Sequence, residues 1–163
     1  MNPTTQTWPR SRSVVLEAIT PIAEPFVAGL LEREARWFHF LKPPDFAAQH
    51  DTEANYLATV SGYRVGFGRL AWLEHPGVLL GSYAVHEQSR RQGFGRDILL
   101  ELHAIARERD RPFACAVFAA NAPSLSLCAS HFGPPLFEGE DPGGRGTVYT
   151  FGDLAAQAAL LEL

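Results

Sequence analysis

The sequence has only two cysteines in 163 residues, Cys115 and Cys128. Two are too few for a disulfide framework, so both read as reduced thiols. No run of about 18 apolar residues occurs, so no membrane-spanning helix is expected. The stretch from Met1 to Ser13 is polar, carries Pro3 and Pro9, and lacks the apolar centre of a signal peptide. Basic residues are outnumbered, 14 Lys and Arg against 18 Asp and Glu, for a net charge of −4. That balance argues against nucleic acid as a partner and mildly favours a cationic substrate such as an amine. The six histidines show no metal-ligand spacing, so no metal is expected. Together these absences point to a cytoplasmic protein with neither a membrane nor a nucleic-acid partner.

What is present reads as a flexible leader over 1–13 and a single domain over 14–163. Val14-Val15-Leu16 opens a short strand. Thr20-Pro21 reads as a helix start, with Phe26, Leu30, Leu31 and Ala35 on one helical face. Trp37 to Leu41 is dense in aromatics and suits either core packing or a pocket wall. Three strand-like runs follow, Tyr56–Ser61, Arg64–Leu73 and Val78–Val85, with turns at Gly62-Tyr63 and Glu74–Gly77. From Gly93 to Arg109 the period becomes helical, with Phe94, Ile98, Leu102, Ile105 and Ala106 on one side. Pro112–Ala119 suits a buried strand, and Asn121–His131 a second helix. Two strands, around Leu136–Glu138 and Thr147–Phe151, bracket the turn Asp141–Gly144. The apolar tail Leu154–Leu163 suggests a buried contact, within the chain or with a second copy as a homodimer.

The informative stretch lies between a strand and a helix, from Tyr83-Ala84-Val85 to Arg90-Arg91-Gln92-Gly93-Phe94-Gly95-Arg96. A helix start offers unpaired N–H groups and about half a positive charge, which suits phosphate. Gly93 and Gly95 free the backbone for close approach and unusual angles, and Arg90, Arg91 and Arg96 add charge. A P-loop would need Gly-Lys-Ser/Thr, which is absent. A dinucleotide fingerprint would need glycine where Ile98 stands.

Arg90-x-x-Gly93-x-Gly95 resembles the acyl-CoA signature of the GNAT superfamily of N-acetyltransferases. The element order over most of Val14–Phe151 is similar too, including the helix led by Asn121-x-x-Ser124-x-x-Leu127-Cys128. The resemblance implies an α/β fold, a twisted and mostly antiparallel sheet flanked by helices, splayed at one parallel strand pair. It implies acetyl-CoA as the acyl-donor substrate, its pyrophosphate on the amides of Arg90–Arg96. Tyr83 and Val85 would pair with the pantetheine arm, a backbone N–H near Val85 would meet the thioester oxygen, and Asn121 would contact the arm or its neighbours. The activity implied is transfer of an acetyl group to a primary amine of a small molecule or peptide, by direct attack in a ternary complex.

The chain departs from the family's pattern at two places. The family's usual tyrosine, the acid for the leaving thiolate, is replaced by Cys128. No carboxylate stands in Val78–Ser82, where many members carry a glutamate. Cys128 is therefore a candidate as proton donor, as nucleophile or as a small core residue. Glu87, Glu34, His86 and Glu74 are candidates for the base. The amine is the harder problem, since presenting a lysine-like amine neutral at pH 7 costs about 4.6 kcal/mol. An alternative reading is a non-catalytic acyl-CoA sensor or partner subunit.

Overall fold

The computed structural model describes residues 13–38 and 44–161. The expected leader, apart from Ser13, and residues 39–41 of the aromatic segment lie outside the described residues. The elements in chain order are β1 (Val15–Ala18), α1 (Glu24–Arg33), β2 (Gln49–His50), β3 (Glu53–Val60), β4 (Tyr63–Leu73) and β5 (Val78–Val85). They continue with α2 (Phe94–Glu108), β6 (Phe113–Phe118), α3 (Ala122–Phe132), β7 (Phe137–Glu140), β8 (Thr147–Gly152) and α4 (Leu154–Leu161).

The strands form one mixed sheet in the order β1-β3-β4-β5-β6-β8-β7, with β2 paired to β3 off that path. The β5–β6 pair is parallel and the other pairs are antiparallel. α1 covers one face, where Val27 and Leu30 meet Leu57, Phe67 and Ala84. α2 and α3 cover the other, where Ile98, Leu99, Leu102 and Cys128 meet Leu70, Leu79 and Phe113. β3 is buried along its whole length, as a strand covered on both faces must be. α4 packs Ala156 against Val78 and Ala114 while leaving Leu154 and Leu161 exposed.

Three local expectations need correction. The first helix begins at Glu24, not at Thr20-Pro21. Thr20 O accepts from the amides of Ala23 and Glu24, so Thr20-Pro21 opens a turn, but Pro25 has no amide to continue that ladder into the helix. Ala35 falls in a 3-10 turn (Ala35–Trp37) after the helix and is exposed. The β3–β4 hairpin turns on Ser61-Gly62 rather than Gly62-Tyr63, because those two residues hold the positive φ angles of 54° and 80° that a two-residue hairpin uses.

Candidate active site

β5 and β6 pair only at Leu79↔Phe113 and Leu80↔Ala114, and beyond those residues they diverge. The Phe113 ring lies against bare backbone at Gly81, where an added Cβ would sit 2.4 Å from it. The divergence opens a slot through the sheet. The phase of the ladder decides which groups face it. His86 N–H donates to Val65 O, so in the antiparallel alternation Tyr83 and Val85 turn their backbone N–H and C=O away from β4, toward the slot. Leu79, in the same phase, donates across it to Pro112 O.

Two cavities adjoin at this slot. One, of about 560 Å³, lies over the start of α2 and is lined by Ala84, Val85, Arg90, Arg91, Gly93, Phe94, Gly95 and Arg96. The other, of about 400 Å³, opens over the β6–β8–β7 side. Trp37, Phe38, Tyr83, Asn121 and Ser124 line both. The Asn121 side chain caps α3 by accepting from Ser124 N–H, which fixes the helix start at the seam. Trp37 and Phe38 thus form a pocket wall, one of the two readings their aromatic density allowed. Gln92 is exposed and lines neither cavity.

The start of α2 is built by two left-handed residues, Arg91 with φ 63° and Gly93 with φ 83°. The α2 ladder opens with Asp97 N–H donating to Gly93 O at 3.1 Å. Among the described residues no protein acceptor reaches the amides of Arg91, Gln92, Gly93, Gly95 or Arg96. Gly95 serves differently from expectation. Its backbone is helical, and its bareness gives clearance, since a Cβ there would stand 3.1 Å from Tyr83 Cε2. Arg90 is already engaged: Nε donates to Val85 O at 3.3 Å and the guanidinium pairs with Glu34. The bridge ties the loop to the end of α1, so Glu34 is half of an ion pair.

The other base and acid candidates are placed plainly. Glu87 is exposed on a 3-10 turn (Glu87–Ser89), and Glu74 is exposed on the β4–β5 turn; neither lines a cavity. None of residues 74–77 lines either cavity; the preceding Leu73 does. His86 Nδ1 accepts from Gln88 N–H, and its ring stacks on Phe26. Cys128 is fully buried and lines neither cavity; its Sγ lies 3.4 Å from Cys115 Sγ. That shared hydrogen bond, together with burial, pushes the Cys115 thiol well above the ordinary thiol range.

The contacts that sequence reasoning missed, at Tyr83, Ser124 and Arg145, come from register and long-range packing. Tyr83 OH lies 2.9 Å from Ser124 Oγ. Burial pushes the Tyr83 phenol upward, against the weaker opposing pull of Ser124 and with the nearby Cys128 and Cys115 adding to the rise. Arg145 on the β7–β8 turn pairs with Asp141 at 3.1 Å, donates to Phe38 O at 2.7 Å and lies 4.8 Å from the Phe118 ring centroid. Among the described residues no cluster of His, Cys, Asp and Glu could hold a metal ion. No helix among them is long and apolar enough to cross a membrane.

A sequence model of the acetyltransferase (GNAT) family matches residues 19–133. The chain belongs to this family. The match runs from α1 through α3 and so includes the α2 start and the slot. By family, then, it is a GNAT-type N-acetyltransferase. No curated protein sequence matches the chain. Solved structures with the same fold include a ribosomal L7/L12 alpha-N-protein acetyltransferase, at 14% identity, TM-score 0.70 and coverage of 89% of this chain and 92% of that one. Another is the ribosomal-protein-S18-alanine N-acetyltransferase from Escherichia coli, at 19% identity, TM-score 0.62 and coverage of 85% and 92%. A third is a spermidine/spermine N-acetyltransferase from Vibrio cholerae, at 14% identity, TM-score 0.66 and coverage of 92% and 96%. At these identities the likeness is one of fold. The acceptors named for these GNAT enzymes differ widely among themselves.

Proposed function

We propose that the chain transfers an acetyl group from acetyl-CoA to a primary amine, with both substrates bound at once. The observation that carries this reading is the meeting of two cavities at Tyr83, Asn121 and Ser124. The cavity over α2 would take the donor and the other the acceptor. The α2 amides would receive the pyrophosphate, where helix-end N–H groups and partial positive charge favour anions. Arg91 and Arg96 line the same cavity and would add charge. The slot-facing backbone of Tyr83 and Val85 would take the pantetheine arm in strand fashion, although Arg90 already occupies the Val85 carbonyl. An N–H of this strand edge would steady the thioester oxygen as the amine attacks.

Holding both reactants across one slot removes the entropy cost of encounter during the attack. CoA leaves as a thiolate whose conjugate acid lies near the free thiol value of about 8.5, so a strong acid is not needed. Among the described residues the carboxylates lining the cavities are Glu34, Glu140 and Asp141. Glu34 is paired with Arg90 and Asp141 with Arg145, and Glu140, in the strand phase opposite the cavity-facing Gly139, accepts from the Thr147 hydroxyl. Deprotonation of the amine therefore falls to water in the slot, and amines of lower pKa should react faster.

The test follows free thiol released from acetyl-CoA with and without added amines. Release that depends on an amine supports the reading. Tight CoA binding with no amine-dependent release would contradict it and favour a binding-only role.

A further inference from the structure

We propose that Cys115 and Cys128 form an oxidation site, two thiols that a peroxide joins into a disulfide, and that this bond slows the reaction at the slot. The site stands on its own geometry, while its effect on turnover rests on the transferase reading above. Cys115 comes from β6 and Cys128 from α3, and both are free thiols. Their sulfurs lie 3.4 Å apart, already in contact. A disulfide bond is about 2.05 Å long, so the sulfurs need to close by only about 1.4 Å. Strand alternation turns Cys115, with Phe113 and Val117, toward the side of the sheet where Cys128 packs. In the reduced protein the pair fills the core there. Both residues are buried, but Cys115 also lines the cavity that opens at the slot. A peroxide, little larger than water, has a route to the pair from that side, whereas a bulky thiol reagent does not.

Hydrogen peroxide balances the step. One thiol loses its proton and takes an oxygen from the peroxide; the O–O bond breaks, leaving a sulfenic acid and one water. The second thiol loses its proton and attacks the sulfenic sulfur; the S–S bond forms, the S–O bond breaks, and a second water leaves. The two thiols give up two electrons and the peroxide takes them. The consequence for the slot follows from where Cys128 stands. Ser124 lies one turn before it on the same face of α3. Ser124 meets Tyr83 OH at 2.9 Å and, with Asn121, lines both cavities. Leu127, next to Cys128, lines the cavity over α2. Drawing Cys128 toward β6 therefore shifts the part of α3 at which the two cavities meet. Misplacement by about 1 Å at a reacting site costs up to about a hundredfold in rate.

The experiment treats the folded protein with millimolar hydrogen peroxide and then removes the oxidant. Free thiols are counted in denaturant, peptides are mapped without reductant, and amine-dependent release of CoA is measured beside a CoA titration. The expected result is joint loss of both thiols, a linked Cys115–Cys128 peptide, and a fall in turnover of about tenfold or more that dithiothreitol reverses. Cys128→Ala, treated alike, should form no link and keep its turnover. Two free thiols after treatment would overturn the site. A link that leaves turnover unchanged, or an equal loss in Cys128→Ala, would overturn its effect on the slot. Should the reduced protein bind CoA but release none with any amine, the transferase reading falls while the linked peptide still decides the oxidation site.

Discussion

The Tyr83 hydroxyl stands 2.9 Å from Ser124 Oγ, at the seam between the two cavities. The bond joins β5 to the first turn of α3 across the slot. Tyr83→Phe leaves Ser124 without this partner and should cost about 1 kcal/mol of stability, read by denaturant unfolding. Burial holds the phenol above its ordinary value, so it stays protonated to beyond about pH 10. The alkaline side of the pH–rate profile should therefore have the same shape in the wild type and in Tyr83→Phe. An alkaline limb that vanishes only in the variant would contradict this.

Gly93 caps α2 with a φ of 83°, in the left-handed region. A Cβ there meets no atom within 4 Å, so the penalty of substitution is conformational rather than steric contact. Gly93→Ala should cost about 1 kcal/mol of stability. It should also weaken CoA binding several-fold by shifting the amides that face the donor cavity. Calorimetric titration with CoA measures the second effect directly.

His103 joins three helices: Nδ1 lies 3.0 Å from His131 Nε2 and Nε2 lies 3.3 Å from Asp153 Oδ2. Burial pushes His103 below the ordinary histidine value, with Asp153 opposing and Arg107 assisting. Burial, His103, Arg107 and Arg96 push His131 down as well. Both groups therefore bind protons more readily in the unfolded chain. Their contribution to stability is intact above about pH 6.5 and is lost as pH falls through the depressed folded values. Urea midpoints at pH 7.5 and pH 5 should show the drop, and His131→Gln should reduce it. A midpoint that rises on acidification would contradict the assignment.

Cys128 occupies the sequence position of the family's tyrosine, yet it is buried against Cys115 and lies outside both cavities. We propose that it serves packing. Cys128→Ala should keep kcat within about threefold of the wild type and cost about 1 kcal/mol of stability. A fall in kcat of about a hundredfold or more, the scale of a lost general acid, would restore it as a proton donor.

The parts of the site legible in the sequence are the local ones. The Gly93-x-Gly95 spacing between a strand and an amphipathic helix depends only on neighbouring residues, and a cavity lies over that helix start. Where a role depends on distant residues the sequence is silent. Arg90 reads as a phosphate ligand until Glu34, 56 positions earlier, is seen beside it. Gly95 reads as a source of unusual backbone angles until the Tyr83 ring is found beside it. Tyr83 itself reads as a strand residue, since only the fold brings Ser124 to its hydroxyl. The cavity over β6, β8 and β7 is assembled by register across those strands, so Phe137 carries no local signal. Element boundaries were limited by proline. Pro21 opens a turn bonded to Thr20 O, and the missing Pro25 amide separates that turn from the helix that follows.

The most direct test of the account is calorimetric titration of CoA into the wild type and into Gly95→Glu, each checked for folding by circular dichroism. The account predicts one CoA bound per chain in the wild type, and no measurable binding in the folded variant, whose new carboxylate would stand beside Tyr83 at the α2 start. Equal binding in both proteins, or none in the wild type at millimolar CoA, would contradict it.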